Sequence, residues 1–347
     1  MARKGWYKVH VGGSNITAGL KSCLQEIEIT DNEGTQSDTC SITVDDRGAQ
    51  IALPRTGASV TVSLGWDNEA GSQVFVGTVD DVKSKGSKNG GMTLTIGAKG
   101  IDTLGKGKQP QQKHKDNGKA SEFLNEMGKD AGISVQVEGS LDKTREWWGA
   151  NDDSFFHTGE RIASELGGIF KVQGNKAIIS PKNGGGIGGL TGSFTARRGS
   201  NLIDWDLEPD TGRPQFQETE ARWFDMAAAE WKSETGSTKK SRSQAKHRTR
   251  FSKHNSEKAK DKAGSNAKDS DKEKGGGSVT VDGSASPRPG SICTVSGARP
   301  GVDGPYRIKS VRHNVTRDGG WTTALTLTAP DGSAGTDSRG GGGGGGQ

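Results

Sequence analysis

Residues 276–330 read GGSVTVDGSASPRPGSICTVSGARPGVDGPYRIKSVRHNVTRDGGWTTALTLTAP, a series of short stretches in which apolar and polar positions alternate between Gly, Pro and Asp turns. A period of two puts one face of each stretch in a core and the other in solvent, so the block predicts antiparallel strands. Residues 6–100 follow the same rule in YKVHV, CLQEIEIT, TCSITV, SVTVSLGW, QVFVGTV and MTLTIGA, separated by the turn groups DNEG, PRTG and GSKNGG. Six or seven strands at this spacing predict a small antiparallel barrel or sandwich.

The character changes between these two β regions. KQPQQKHKDNG (108–118) is polar and contains Pro, which predicts a linker or exposed loop. ASEFLNEMGKDAGISVQVEG (120–139) predicts a helix of two to three turns with Phe123, Leu124, Met127 and Ala131 as its buried stripe, a Gly stop and a strand. A similar unit recurs at 152–180. There Asp152 to Ser154 supply the N-cap, Phe156, Ile162, Ala163 and Leu166 the stripe, and Gly167 and Gly168 the stop. Two strands then pair through Gln173 to Asn175, and the two units look like an internal duplication. Leu202–Leu207 opens a new segment, and Phe216–Asp225 alternates as a strand.

Apolar residues make up 29% of the 347, few for three independent cores, which predicts cores or edges completed by partner subunits. Between Thr238 and Lys274 thirteen Lys and Arg stand against five Asp and Glu, so with a total of +5 the remainder is slightly acidic. Ala259, Ala263 and Ala267 recur every four residues inside this run, which fits a helix with one small-residue face. Three readings stay open: a charged helix at an assembly interface, which leads; a disordered insert; and a nucleic-acid site, disfavoured by a single aromatic, Phe251. We take Ala259, Ala263 and Ala267 as the interface candidates.

Catalytic and metal chemistry is weakly signalled. The six His residues, at 10, 114, 157, 247, 254 and 313, form no HExxH motif, and there is no CxxC or GxSxG. His313 reads as a packing or hydrogen-bonding residue. Gly184, Gly186 and Gly189 satisfy GxGxxG, but no helix signal follows them, and the run reads as a loop. Asp152, Asp153, Glu160 and Glu165 invite comparison with the paired carboxylates of a cell-wall hydrolase, but a helix cap and a solvated face explain them without chemistry and are the favoured reading. Catalytic, cofactor-binding and metal sites are therefore all expected to be none. Cys23, Cys40 and Cys293 predict free thiols, with a Cys23–Cys40 bridge as the alternative. No apolar stretch of signal-peptide length opens MARKGWYKVHVGG and no window approaches 18 apolar residues, which predicts a soluble protein made in a cytoplasm, without stable membrane association.

The terminal block resembles the C-terminal signature of the phage late control gene D protein family, the baseplate hub proteins of contractile tails. The matching residues are Gly283, Pro289, Gly290, Gly297, Asp303, Gly304, Tyr306, Ile308, Val311, His313, Gly319, Gly320, Thr323 and Leu325. Ser37 and Asp38 ahead of TCSITVDD, the helix unit from Asp152, and ETEARWFD resemble further segments of that family. Phe156-His157 departs from its usual Phe-Leu, and residues 232–276 carry more Lys than its Ala-rich helix.

The resemblance implies a β-rich α+β protein with two tube-protein-like antiparallel β-barrels around an α/β middle region of two helix-strand units. The boundaries expected are 1–107 for the first barrel, 108–183 for the middle, 184–330 for the second barrel with the charged helix or insert at about 232–276, and 331–347 for a flexible Gly-rich tail. It further implies a homotrimer that adapts a sixfold tail tube protein to a threefold central spike protein, touches neighbouring baseplate proteins, makes transient non-specific contact with DNA in its lumen, and has no enzymatic activity. The alternatives are a tail-associated peptidoglycan hydrolase and a β-rich binding module with a basic nucleic-acid-binding insert.

Overall fold

The structure is a computed structural model that describes residues 3–34, 37–67, 69–88, 91–182, 192–211, 216–238, 243–317, 320–331 and 333–337. The first region holds β1 (Gly5–Val11), β2 (Ser14–Asn15), α1 (Thr17–Cys23), β3 (Leu24–Asn32), β4 (Thr39–Asp45), β5 (Ser59–Trp66), β6 (Ser72–Ser87) and β7 (Gly91–Lys99). Its strands obey the two-residue period: Ile27, Ile29, Ile42, Val44, Val60, Val62, Leu64 and Leu94 are fully buried, while the residues between them face outward. The short helix α1 was not legible as such, because its only buried residue is Leu20.

The middle region holds β8 (Gln111–Lys119), α2 (Ala120–Gly128), β9 (Ser134–Val137), β10 (Thr144–Asp153), α3 (Phe155–Leu166), β11 (Gly168–Gln173) and β12 (Lys176–Pro181). The stretch expected as a linker is instead strand β8, paired antiparallel with β10 along nearly its whole length. Polar side chains did not prevent this, because the pair is a two-stranded ribbon with one side in solvent. Helix α3 stops where expected, at Gly167 in the left-handed region with φ of 72°, whereas α2 ends at Gly128 and a 3-10 turn, Lys129–Ala131, carries the chain on to Gly132, left-handed with φ of 67°. The Ser154 hydroxyl caps α3 by accepting from the amide of His157 at 3.2 Å. The stripe of α3 differs by one residue from expectation: Phe155 is fully buried, edge-on to Phe170 at 5.8 Å, and Phe156 lies at the margin.

The last region holds β13 (Ser193–Arg197), β14 (Leu202–Glu208), β15 (Glu218–Asp225), β16 (Glu230–Ser237), β17 (Lys246–Arg248), α4 (Ser256–Lys272), β18 (Gly276–Asp282), β19 (Ile292–Ser296), β20 (Gly304–Thr316) and β21 (Gly320–Thr328). The segment expected at about 232–276 thus begins as strand β16 and ends as helix α4.

The chain is β-rich with few helices, but the two β regions do not stand apart as two closed barrels. Their strands join in one 13-stranded sheet of order β14-β18-β21-β20-β3-β4-β7-β6-β5-β1-β2, with β19 and β13 branching from β20. No sheet among the described residues is closed. Three cores result: one under β1–β7, one between α2, α3 and the β9-β12-β11 sheet, and one under β14 and β18–β21. The β16-β15-β17 sheet is separate and packs on α4.

Candidate functional site

The seam where the two β regions meet is the antiparallel pair β3–β20, with Arg312 opposite Thr30, Asn314 opposite Glu28 and Thr316 opposite Glu26. Its outward face is charge-matched. Asn314 Nδ2 donates to Glu26 Oε1 at 2.8 Å, and Arg312 approaches Glu28 at 4.0 Å. On the core side Trp66 and Trp321, one from each region, lie with ring centroids 5.3 Å apart, and Trp66 Nε1 donates to the Gly283 carbonyl at 2.8 Å.

Ion pairs, several of them buried, fix the middle region and α4 to this seam and to each other. Lys171 on β11 donates to Asp31, to the Asn32 carbonyl at 3.0 Å and to Asp38 at 3.2 Å. One ammonium thus serves two carboxylates at a largely buried site. Burial, reinforced by neighbouring Asp38 and opposed by Lys171, pushes Asp31 up to about 6. Burial works against the Lys171 ammonium, but the two carboxylates outweigh it and hold its pKa above the usual lysine value. Glu33, beside β3, accepts from Arg307 on β20 and from Lys272 on α4. Arg145 on β10 joins Glu165 at 2.9 Å and Asp261 on α4 at 3.1 Å, and Lys182 joins Asp269 on α4 at 2.7 Å.

The interface candidates all lie on the inner face of α4. Ala259 and Ala263 are fully buried and Ala267 nearly so. Ala259 and Ala263 pack with Ala221 and Trp223 of β15, and the Ala263 carbonyl accepts from the Thr219 hydroxyl at 2.6 Å. The backbone of Gly236 comes so close that a Cβ there would sit 2.5 Å from the Ala263 oxygen. Asn255 caps the helix by accepting from the Lys258 amide at 2.9 Å.

Three of the four carboxylates considered for hydrolysis are engaged otherwise, and the fourth, Glu160, is exposed beside Phe156 and His157. Glu165 is tied to Arg145 and Arg161, Asp153 lies 3.7 Å from Arg161, and Asp152 accepts from Gln112 at 3.1 Å. Among the described residues no group of three or more His, Cys, Asp and Glu could hold a metal, and no helix is long and apolar enough to cross a membrane. His313 is buried, with Nδ1 3.0 Å from the Thr323 hydroxyl, and burial lowers its pKa to about 3. The thiols of Cys23, Cys40 and Cys293 are free, and no Cys23–Cys40 bridge forms. Gly184, Gly186, Gly189 and Gly319 and the end of the Gly-rich tail lie outside the described residues.

The motif residues prove to be turn and core devices. Asp303 accepts from the amides of Gly297, Ala298 and Arg299, all within 3.1 Å, and so ties off the loop before β20. Gly304 follows at φ 154°, where a Cβ would lie 2.7 Å from the Ala334 nitrogen. Sequence reading missed Lys171, Glu33 and Arg307. Asp38 of the Ser37-Asp38 pair was the one signal pointing toward the Lys171 cluster.

The two β regions repeat one another. In hairpin β6–β7 the register shifts between Val79 and Asp81, and in β20–β21 it shifts between Ile308 and Ser310. Asp81 then faces Gly97 as Ser310 faces Thr326, and the hairpins close with Ser87 opposite Gly91 and Thr316 opposite Gly320. A second correspondence links β3 to β14, whose pairings slip between Leu24 and Glu26 and between Leu202 and Asp204.

No family model matches the chain. It is 25% identical over 181 residues to a probable baseplate hub protein of Escherichia phage 186, covering 50% of this chain and 44% of that protein. It is 31% identical over 99 residues to a probable baseplate hub protein of Escherichia phage P2, covering 28% of this chain and 25% of that protein. The matches thus span less than half the length of these curated relatives. The fold is shared with a 43 kDa tail protein of prophage MuSo2 from Shewanella oneidensis, at a TM-score of 0.69 and 15% identity over 94% of this chain and 98% of the other. By its terminal motif, which resembles that of the late control gene D family, and by these sequence matches, the chain is similar to the probable baseplate hub proteins of Escherichia phages 186 and P2.

Proposed function

We propose that the chain is a structural baseplate hub, a virion component of a phage tail, acting as a homotrimer that adapts the sixfold tail tube to the threefold central spike. The observation that carries this reading is the repeat: two units of one strand pattern, β3–β7 and β14 with β18–β21, are joined side by side in one sheet. Three such chains present six equivalent units on one face while keeping three copies of everything else. On this reading residues 1–107 and 184–330 supply two tube-protein-like barrels, and 108–183 forms a buttress outside them.

The partners are then the tube protein, the spike protein and neighbouring baseplate proteins, with transient non-specific DNA contact in the lumen. The role is non-enzymatic, which agrees with Asp153 and Glu165 being engaged by Arg161 and Arg145. Native mass measurement of the purified full chain, or of its particle, tests the proposal. Three copies are expected, and a dimer or six copies per tail end overturns it.

A further inference from the structure

The intrachain seam joins β3 of the first unit to β20 of the second, and the repeat assigns each of these strands a counterpart. β14 corresponds to β3, because the Leu24–Glu26 and Leu202–Asp204 slips align. The same slip then makes Glu26, Glu28 and Thr30 correspond to Asp204, Asp206 and Glu208. The later half of β6 corresponds to the later half of β20, so that Arg312, Asn314 and Thr316 correspond to Lys83, Lys85 and Ser87.

Those counterpart edges carry no partner strand among the described residues. β14 ends the 13-stranded path and, apart from an isolated bridge between Leu202 and Arg198, pairs only with β18, and β6 beyond Val79 pairs only with β7. Asp204, Asp206, Glu208, Lys83, Ser84, Lys85 and Gly86 are all exposed. In the repeat His313 is buried where Ser84 is open, as expected if a neighbouring strand is missing beside β6.

We propose that β14 of one chain pairs antiparallel with residues 81–87 of β6 in a second copy of this chain, repeating the β3–β20 seam between subunits. The proposal rests on the trimeric hub reading and names its contact. Transferring the β3–β20 register places Glu208 opposite Lys83, Asp206 opposite Lys85 and Asp204 opposite Ser87. The acidic edge meets the basic one, as Glu26 and Glu28 meet Asn314 and Arg312 within the chain. Trp205, half-buried on the core side of β14, would face Gly86, which leaves room for the indole. A free acidic edge and a free basic edge in different parts of one sheet make a head-to-tail contact, which leaves one edge open at each end of a row of copies until a ring closes.

The test is charge reversal and exchange in the full chain, read by sedimentation and native mass. Lys85→Glu and Asp206→Lys each alter an exposed side chain, and each is expected to weaken assembly at least tenfold. The double variant, with the charges exchanged, is expected to recover it. Lys85→Cys combined with Asp206→Cys, oxidised, is expected to give a covalent ladder ending at three chains, against a wild-type control carrying the three native thiols. A trimer indifferent to both reversals, or one giving no ladder, overturns the pairing and leaves the hub reading standing. A chain that is monomeric or dimeric at every concentration overturns both.

Discussion

Trp66 Nε1 donates to the carbonyl of Gly283 at 2.8 Å, across 217 residues of sequence, and the Trp321 ring closes over the same glycine. A Cβ on Gly283 would sit 2.2 Å from that ring, so no rotamer of a larger residue fits without moving an indole. Gly283→Val is expected to lower stability by about 1–3 kcal/mol, measured as a drop in thermal midpoint. An unchanged midpoint would mean that the seam has slack.

Lys171 holds two buried carboxylates, and its neutral replacement leaves both without a counter-charge. Lys171→Met is expected to cost about 3–5 kcal/mol at neutral pH. Urea unfolding of the variant beside Lys113→Met, a partly exposed control, checks this.

The same cluster sets a pH dependence. Asp31 has its folded pKa raised from 3.8 to about 6, so the folded state binds the proton more tightly. Its stabilising contribution is complete below about 3.8 and is lost as pH rises through 6, a loss of up to about 3 kcal/mol. His313 acts in the opposite direction: its folded pKa is lowered from 6.5 to about 3, so its contribution is lost as pH falls through that interval. The Asp31 share is isolated by comparing Asp31→Asn with wild type, the difference in unfolding free energy growing in favour of the variant from pH 4 to pH 7. A pH-independent difference would contradict the assignment.

Asp303 satisfies three amides of one loop, and Gly304 beside it occupies a backbone region closed to side chains. Asp303→Ala is expected to cost about 2–3 kcal/mol and Gly304→Val about 1–3 kcal/mol. Both are read by thermal melting. Tolerance of Gly304→Val would show that the tail segment at Ala334 yields.

Ala263 is sealed against β15 and β16, whereas Lys260, one turn away, is exposed. Ala263→Glu buries a carboxylate without a counter-ion and is expected to cost at least about 3 kcal/mol, while Lys260→Glu stays within about 0.5 kcal/mol. Far-ultraviolet melting curves of the two variants distinguish them. A larger effect at Lys260 in particle assembly would instead indicate an electrostatic partner.

The sequence by itself determined most strands of residues 6–100 and 276–330, helix α3 with its glycine stop, and the small-residue face of α4. Each follows from periodicity, capping and backbone conformations that act over a few residues. It also carried the family motif, whose Gly, Asp and His positions are local turn and core requirements. Strand β8 escaped because a two-stranded ribbon with a wet side needs no apolar alternation. What only the tertiary structure decided is how distant pieces meet: β3 beside β20, Lys171 between Asp31 and Asp38, Glu33 against Arg307 and Lys272. A buried ion pair has no sequence period, since its partners are chosen by how the sheets pack. The repeat of the two β units stayed hidden for a related reason: it is written in matching register slips, which exist only once strands have paired.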